Sequence, residues 1–264
     1  MIKKGFNFLI FSHIWISLGA VGLLLGNCII LNIDCNISYI CLIFFATLFG
    51  YSIQYSGSFS LNKLRPMQSY WVENNKSTIV LIKWFSFFIS VILSLLIFNL
   101  SQILLSIPFL LVVLLYKKKT SFLKELRAFP FVKIFVIALC WAWVCSLLPQ
   151  ISIQTNDLDW VNVSFIFVFI VAITIPFDVR DLHGDSKSML TIPILFGKNI
   201  SVLLSIGLVC SSIVFFLIDG NLEMVVYLTL VNLVLIPTLY THNEYYYLFI
   251  IDGLLVLFPI FAIW

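Results

Sequence analysis

Long apolar runs, cut by short polar breaks, make up almost the whole chain. Nine can be read, at about residues 7–28, 36–55, 78–98, 101–116, 131–149, 160–177, 200–218, 222–240 and 245–263. Most are close to the roughly 20 residues a helix needs to cross a hydrocarbon core of about 30 Å. The alternating segments of a membrane barrel are missing. Lipid-exposed backbone must satisfy its own hydrogen bonds, so the pattern predicts helices. The fourth run is short and almost touches the third, which reads as a tight helical hairpin. No repeat or low-complexity tract marks a second unit. Residues 1–264 are therefore expected to form one domain, an all-α polytopic membrane bundle of about nine transmembrane helices.

Composition agrees with that reading. The chain is 62% hydrophobic and 10% charged, with a mean hydropathy of +1.11. A soluble domain is about half apolar and a quarter charged. Lys3 and Lys4 precede the first run without a small-residue cleavage site, so that run reads as a retained helix and not a signal peptide. None of the six cysteines forms a CxxC pair, and most sit in or beside apolar runs, where cysteine behaves as a small hydrophobe. A bridge between Cys28 and Cys35 on the outer face is compatible with the sequence, which offers nothing further for it.

Charge placement orients the bundle. One set of breaks carries Lys3 and Lys4, then Lys63, Arg65 and Lys76, then Lys117, Lys118, Lys119, Lys124 and Arg127, then Arg180, Lys187 and Lys198. The other set carries Asp34, Asp157, Asp159, Asp219 and Glu223, with no Lys or Arg. The positive-inside rule makes the basic side cytoplasmic. The N-terminus is then inside and the C-terminus outside, in what is expected to be a bacterial inner membrane. Three basic-side loops are long, at 56–77, 117–130 and 178–199, so chemistry is expected at that mouth. For the basic run 117–127 taken alone, topology and attraction to anionic headgroups are the favoured account.

The densest charge lies in "DVRDLHGDSKSMLTIPILFG", Asp178 to Gly197. Asp178, Asp181 and Asp185 fall at i, i+3 and i+7, which is one face of a helix. Carboxylates so placed repel one another and are stabilised by a cation. Magnesium favours carboxylate oxygens and shares its shell with substrate phosphates. Arg180 and Lys187 are suited to phosphate contacts. The competing reading is a solvated loop whose acids pair locally with Arg180 and Lys187.

That stretch resembles the second aspartate-rich motif of the UbiA superfamily of intramembrane prenyltransferases. Asp181 and Asp185 match its DxxxD, Arg180 the arginine before it in the quinone-making branch, and Thr191 and Gly197 its tail. "YKKKTSFLKELRAFPFVKIFVIALCWAW" is similar to the family's fourth loop and fifth-helix start. The resemblance covers most of the chain and implies nine helices with the N-terminus inside. It implies a prenyl diphosphate ionised at the cytoplasmic mouth, its carbocation attacked by a lipophilic acceptor. On this reading Asp181 and Asp185, helped by Asp178, hold Mg2+, while Arg180, Lys187 and Lys133 hold the diphosphate. Membrane lipids are the other partners, and no nucleic acid is expected.

The family's first motif, NxxxDxxxD, has no counterpart. Lys63, Leu64, Arg65 and Pro66 resemble the Arg-Pro that follows it and fix the register approximately. Thr47, Tyr51 and Tyr55 fall at the motif positions in one register, and Tyr51, Tyr55 and Phe59 in the other. No Asp or Glu lies between Asp34 and Glu73. A phenol with pKa about 10 is a poor magnesium ligand, so one Mg2+ site is expected and not two. Tyr51 and Tyr55 line the cavity mouth in this reading.

A few polar residues remain within the runs. Asp252 in the last run is functional, or it is protonated, or it is paired with a residue on a neighbouring helix. Lys83 and Lys133 sit near span ends, where lysine snorkels. His13 is a proton carrier or a hydrogen-bonded interhelical residue, and Asn232 an interhelical donor. The leading reading is a UbiA-like prenyltransferase with reduced or altered activity. The alternative is a non-catalytic isoprenoid or lipid binder of the same fold. A transporter using Asp252 and His13 ranks last, because related Gly/Pro-broken spans are not seen.

Overall fold

The computed structural model describes residues 2–55, 65–115, 132–152, 157–182 and 191–263. Among these residues each predicted run coincides with a helix or a pair of helices. The first run holds α1 (Ile2–Phe11) and α2 (Ile14–Ile30), and the second α3 (Ile37–Ser52), closed by a 3-10 turn at Ile53–Tyr55. The hairpin is α5 (Lys76–Ile97) and α6 (Leu100–Leu115). The fifth run is α7 (Val132–Ala142), a π-helical turn at Trp143–Leu147, and α8 (Leu148–Ser152). Then come α9 (Trp160–Asp181), α11 (Lys198–Asp219) and α12 (Leu222–Leu235). The chain closes on a π-helical turn at Tyr246–Ile251 and α13 (Asp252–Ala262).

Two basic-side stretches read as loops hold structure of their own. α4 (Pro66–Asn74) precedes α5, and α10 (Ile192–Phe196) precedes α11. Proline in the first turn suits both, since the first helical N–H groups have no intrahelical partner. Gly197 joins α10 to α11 at φ 82 and ψ 164, a conformation open essentially to glycine alone. The Thr…Gly tail of the aspartate-rich stretch is thus a backbone device that turns the chain back into the bundle.

Among the described residues, five helices are long and apolar enough to cross a bilayer, and the bent pair α1–α2 makes a sixth. That pair bends by 59° at Ser12 and His13. His13 sits at φ 68, uncommon for a residue with a side chain. The freed carbonyl of Phe11 accepts from the Tyr55 hydroxyl at 3.2 Å, and Ser17 Oγ donates to the His13 carbonyl at 2.8 Å. Backbone groups released at a break in a span need such partners. At the acidic end, Asn36, Asp159 and Asn221 cap α3, α9 and α12, each side chain accepting a backbone N–H at 2.9 Å.

The core lies between α2, α7, α9, α11, α12 and α13. Phe165, Phe169, Tyr227 and Phe258 form its aromatic centre, with Tyr227 stacked edge-on to Phe258 at 5.4 Å. α2 packs most extensively on α13. The two backbones meet closely at Gly22, where a Cβ would strike the main chain of Leu255 and Val256. α5 turns Trp84, Phe85, Phe88, Leu95 and Leu96 outward, as a lipid-facing helix does.

Candidate functional site

α9 runs to Asp181, so Asp178 and Asp181 lie on its last turns at the basic end. The two carboxylates have different surroundings. Asp178 is 1% exposed and ion-pairs with the ammonium of Lys133, near the start of α7. Asp181 is 29% exposed and is gripped by its neighbour: Arg180 Nε donates to Oδ1 at 2.8 Å and Nη2 to Oδ2 at 3.0 Å. The Arg180 guanidinium lies against two rings, 5.1 Å from the centroid of Phe177 and 5.4 Å from that of Tyr247. Such contacts favour a cation held out of bulk water.

A second arginine arrives from elsewhere in the chain. Arg65 immediately precedes α4; its Nη2 donates to the Arg180 carbonyl and lies 3.4 Å from Asp181 Oδ1. The end of α9 is therefore bracketed by Lys133, Arg180 and Arg65. Glu244 opens the last helical segment, one turn before Tyr247. It is 7% exposed and, among the described residues, makes no side-chain hydrogen bond or ion pair. Burial raises its carboxyl above the ordinary value; Arg180 and Arg65 pull it back down, and Asp181 pushes it further up. Those influences put Glu244 in the electrostatic field of the same mouth.

Tyr51 and Tyr55 sit beside the break in the first run. The His13 ring is 4.6 Å from that of Tyr55, nearly stacked, and 5.4 Å from that of Tyr51. Gln68 on α4 donates to the Tyr55 hydroxyl at 2.7 Å. The place where the resemblance expects carboxylates is thus a hydrogen-bonded aromatic cluster that ties α2, α3 and α4 together.

The structure brings Asp178, Arg180, Asp181 and Lys133 to one end. Asp185 and Lys187 lie outside the described residues. The local Asp181–Arg180 pairing of the competing reading is present. Among the described residues, no three His, Cys, Asp or Glu side chains converge closely enough to hold a metal. In the sequence Arg65 serves as an orienting charge and a register marker, and Glu244 stands out by neither motif nor spacing. The signal for Arg65 was its place before Pro66, and for Glu244 an acid in the short basic-side turn before the last run. Elsewhere, Asn232 makes the interhelical bond expected of it, to Cys210 Sγ at 3.4 Å, and Lys83 lies 5.0 Å from the Trp84 ring. Asp252 heads α13 directly after the π-helical turn.

These features define a polytopic helical membrane bundle with a polar, cation-rich mouth at one end. The fold is that of UbiA homologues. The homologue from Archaeoglobus fulgidus solved with GPP and Mg2+ matches with a TM-score of 0.62 and 13% identity, over 96% of each chain. The apo homologue from Aeropyrum pernix K1 matches with a TM-score of 0.60 and 14% identity, over 95% of this chain and 94% of that one. A digeranylgeranylglyceryl phosphate synthase structure matches with a TM-score of 0.56 and 19% identity, over 100% of this chain and 99% of that one. No family model and no curated protein matches the sequence.

Proposed function

We propose that the chain is a UbiA-type membrane prenyltransferase. It binds an isoprenyl diphosphate at its basic, cytoplasmic mouth and passes the prenyl group to a lipophilic acceptor. The single observation that carries this reading is the Arg65–Arg180–Asp181 cluster beside the Lys133–Asp178 pair, at the end of a bundle whose fold is shared with a GPP-bound and Mg2+-bound homologue. The orientation, the nine crossings and the single domain over residues 1–264 belong to the same proposal.

Each residue has a part in it. Arg180 and Arg65 donate to the diphosphate, with Lys133 and Lys187 adding charge. Diphosphate competes with Asp181 for the Arg180 guanidinium; the Asp181 carboxylate so released, with Asp185, would hold one Mg2+, which would supply positive charge to the leaving diphosphate. Asp178 is committed to Lys133 and fixes that ammonium's position. Tyr51 and Tyr55 line the mouth and present rings able to face a developing cation.

One observation favours a second reading, a non-catalytic isoprenoid binder. No carboxylate lies between Asp34 and Glu73, so the mouth lacks the acids that a second metal requires. Radiolabelled prenyl diphosphate, offered to the detergent-purified protein with and without Mg2+, separates the two. The enzyme reading expects Mg2+-dependent binding and diphosphate release, both lost in an Asp181→Ala, Asp185→Ala double variant. Binding without release establishes the binder. Binding indifferent to metal and variant removes the metal role.

A further inference from the structure

At the acidic end, opposite the mouth, α2 hands the chain to α3 through a tight turn that draws two cysteines together. Leu31 N–H bonds the Asn27 carbonyl at 3.0 Å and Ile33 N–H bonds the Cys28 carbonyl at 2.8 Å. Asn32 takes a left-handed conformation at φ 51, which reverses the chain. Asn36 then caps α3. This hydrogen-bonded turn carries Cys35 back over the end of α2, and its sulfur lies 2.7 Å from that of buried Cys28. Cys145, the other fully buried cysteine nearby, directs its thiol to the Ala20 carbonyl at 3.7 Å.

We propose that Cys28 and Cys35 are a disulfide site, oxidised in the membrane-inserted protein by an extracytoplasmic dithiol–disulfide oxidant. The compartment rests on the orientation proposed above: the turn carries Asp34 and no Lys or Arg. Half-buried Cys35 is the entry point, between the exposed residues Asp34 and Asn36. The hydrogen-bond contact with the Cys28 sulfur holds the Cys35 thiol below the ordinary cysteine value, outweighing burial, and the thiolate is the attacking form. Cys35 attacks one sulfur of the oxidant's disulfide and expels the first thiol. Cys28 then attacks the Cys35 sulfur of the mixed disulfide and expels the second. The pair loses two electrons and two protons, one S–S bond forms, and the oxidant leaves as two thiols.

The bond would pin a corner that already bears structure. Asn27 Nδ2 donates to the Cys145 carbonyl and Tyr39 OH to the Val144 carbonyl, both at 2.9 Å. Both carbonyls belong to the π-helical turn after α7, where the helical ladder is widened. Asn27 precedes Cys28 directly, and Tyr39 lies one turn past Cys35. The bridge would therefore hold both donors against the bulge.

Differential alkylation of the full chain in native membranes tests this. Free thiols are blocked with a maleimide, the protein is reduced, and newly exposed thiols take a second label. The expected result is second label on Cys28 and Cys35 only. The purified protein should close the same pair with glutathione disulfide. It should melt at a lower temperature when reduced, where a Cys28→Ser, Cys35→Ser variant also melts. First label on both cysteines in membranes, with no closure in vitro, overturns the proposal. Closure in vitro but free thiols in membranes also overturns it. A membrane-impermeant maleimide then finds the cause: Cys35 reached only after lysis means that the orientation, and not the sulfur geometry, is wrong.

Discussion

The ammonium of Lys133 on α7 is ion-paired with the carboxylate of Asp178 on α9, and the aspartate is almost wholly buried. Removing one member of such a pair leaves the other uncompensated, which costs about 3 kcal/mol or more. Asp178→Leu is therefore expected to lower the melting temperature sharply. The Asp178→Leu, Lys133→Met double variant should recover most of the loss, since apolar replacement of a buried pair is often neutral. Thermal unfolding of the three forms in one detergent measures the coupling.

Arg180 holds Asp181 through two parallel bonds, a fork that lysine cannot reproduce. Arg180→Lys keeps the charge and loses the geometry. Prenyl diphosphate binding in the presence of Mg2+ should weaken about tenfold or more, the scale of one charge-assisted bond. Equilibrium binding with labelled ligand reads this directly. Unchanged affinity would remove Arg180 from the diphosphate site.

Glu244 gives a pH dependence with a definite sign. Its carboxyl is raised in the folded state, chiefly by burial. The folded protein therefore binds the proton more tightly than the unfolded chain. Stability falls as pH rises from the unfolded glutamate value, about 4.3, through the higher folded one, and the cost persists above it. Glu244→Gln should melt higher than wild type at neutral pH, with the gap closing below about pH 4. Melting curves across pH check both the sign and the window.

At the α2–α13 contact, a side chain at Gly22 meets backbone and not a flexible tip. Gly22→Leu should cost at least about 2 kcal/mol, in the range of overpacked cores. The yield of folded, monodisperse protein in detergent should fall with it, while Gly207→Leu, where a Cβ meets open space, should not change it.

The helices were legible because apolar runs near the length of a membrane crossing leave the backbone little choice. α4 and α10 were not, since each is a short helix inside a polar stretch. The bend at His13 left no mark, because neither Pro nor Gly stands there; Tyr55 sustains it from another helix. The site was legible where it is local. Asp178, Arg180 and Asp181 are neighbours in sequence, yet spacing alone put the two acids at one common cation. The structure gives Asp178 to Lys133 and Asp181 to Arg180 and Arg65. Arg65 and Glu244 reach the mouth only through the packing of distant segments, which no local pattern encodes.

The bend also has a consequence for the surrounding lipid. It leaves α2 with 17 residues, and at 1.5 Å each these span about 25 Å. An ordinary hydrocarbon core is about 30 Å thick. α1 supplies the missing apolar length, so the first span crosses as a bent pair and the thickness it matches depends on the 59° angle held at His13.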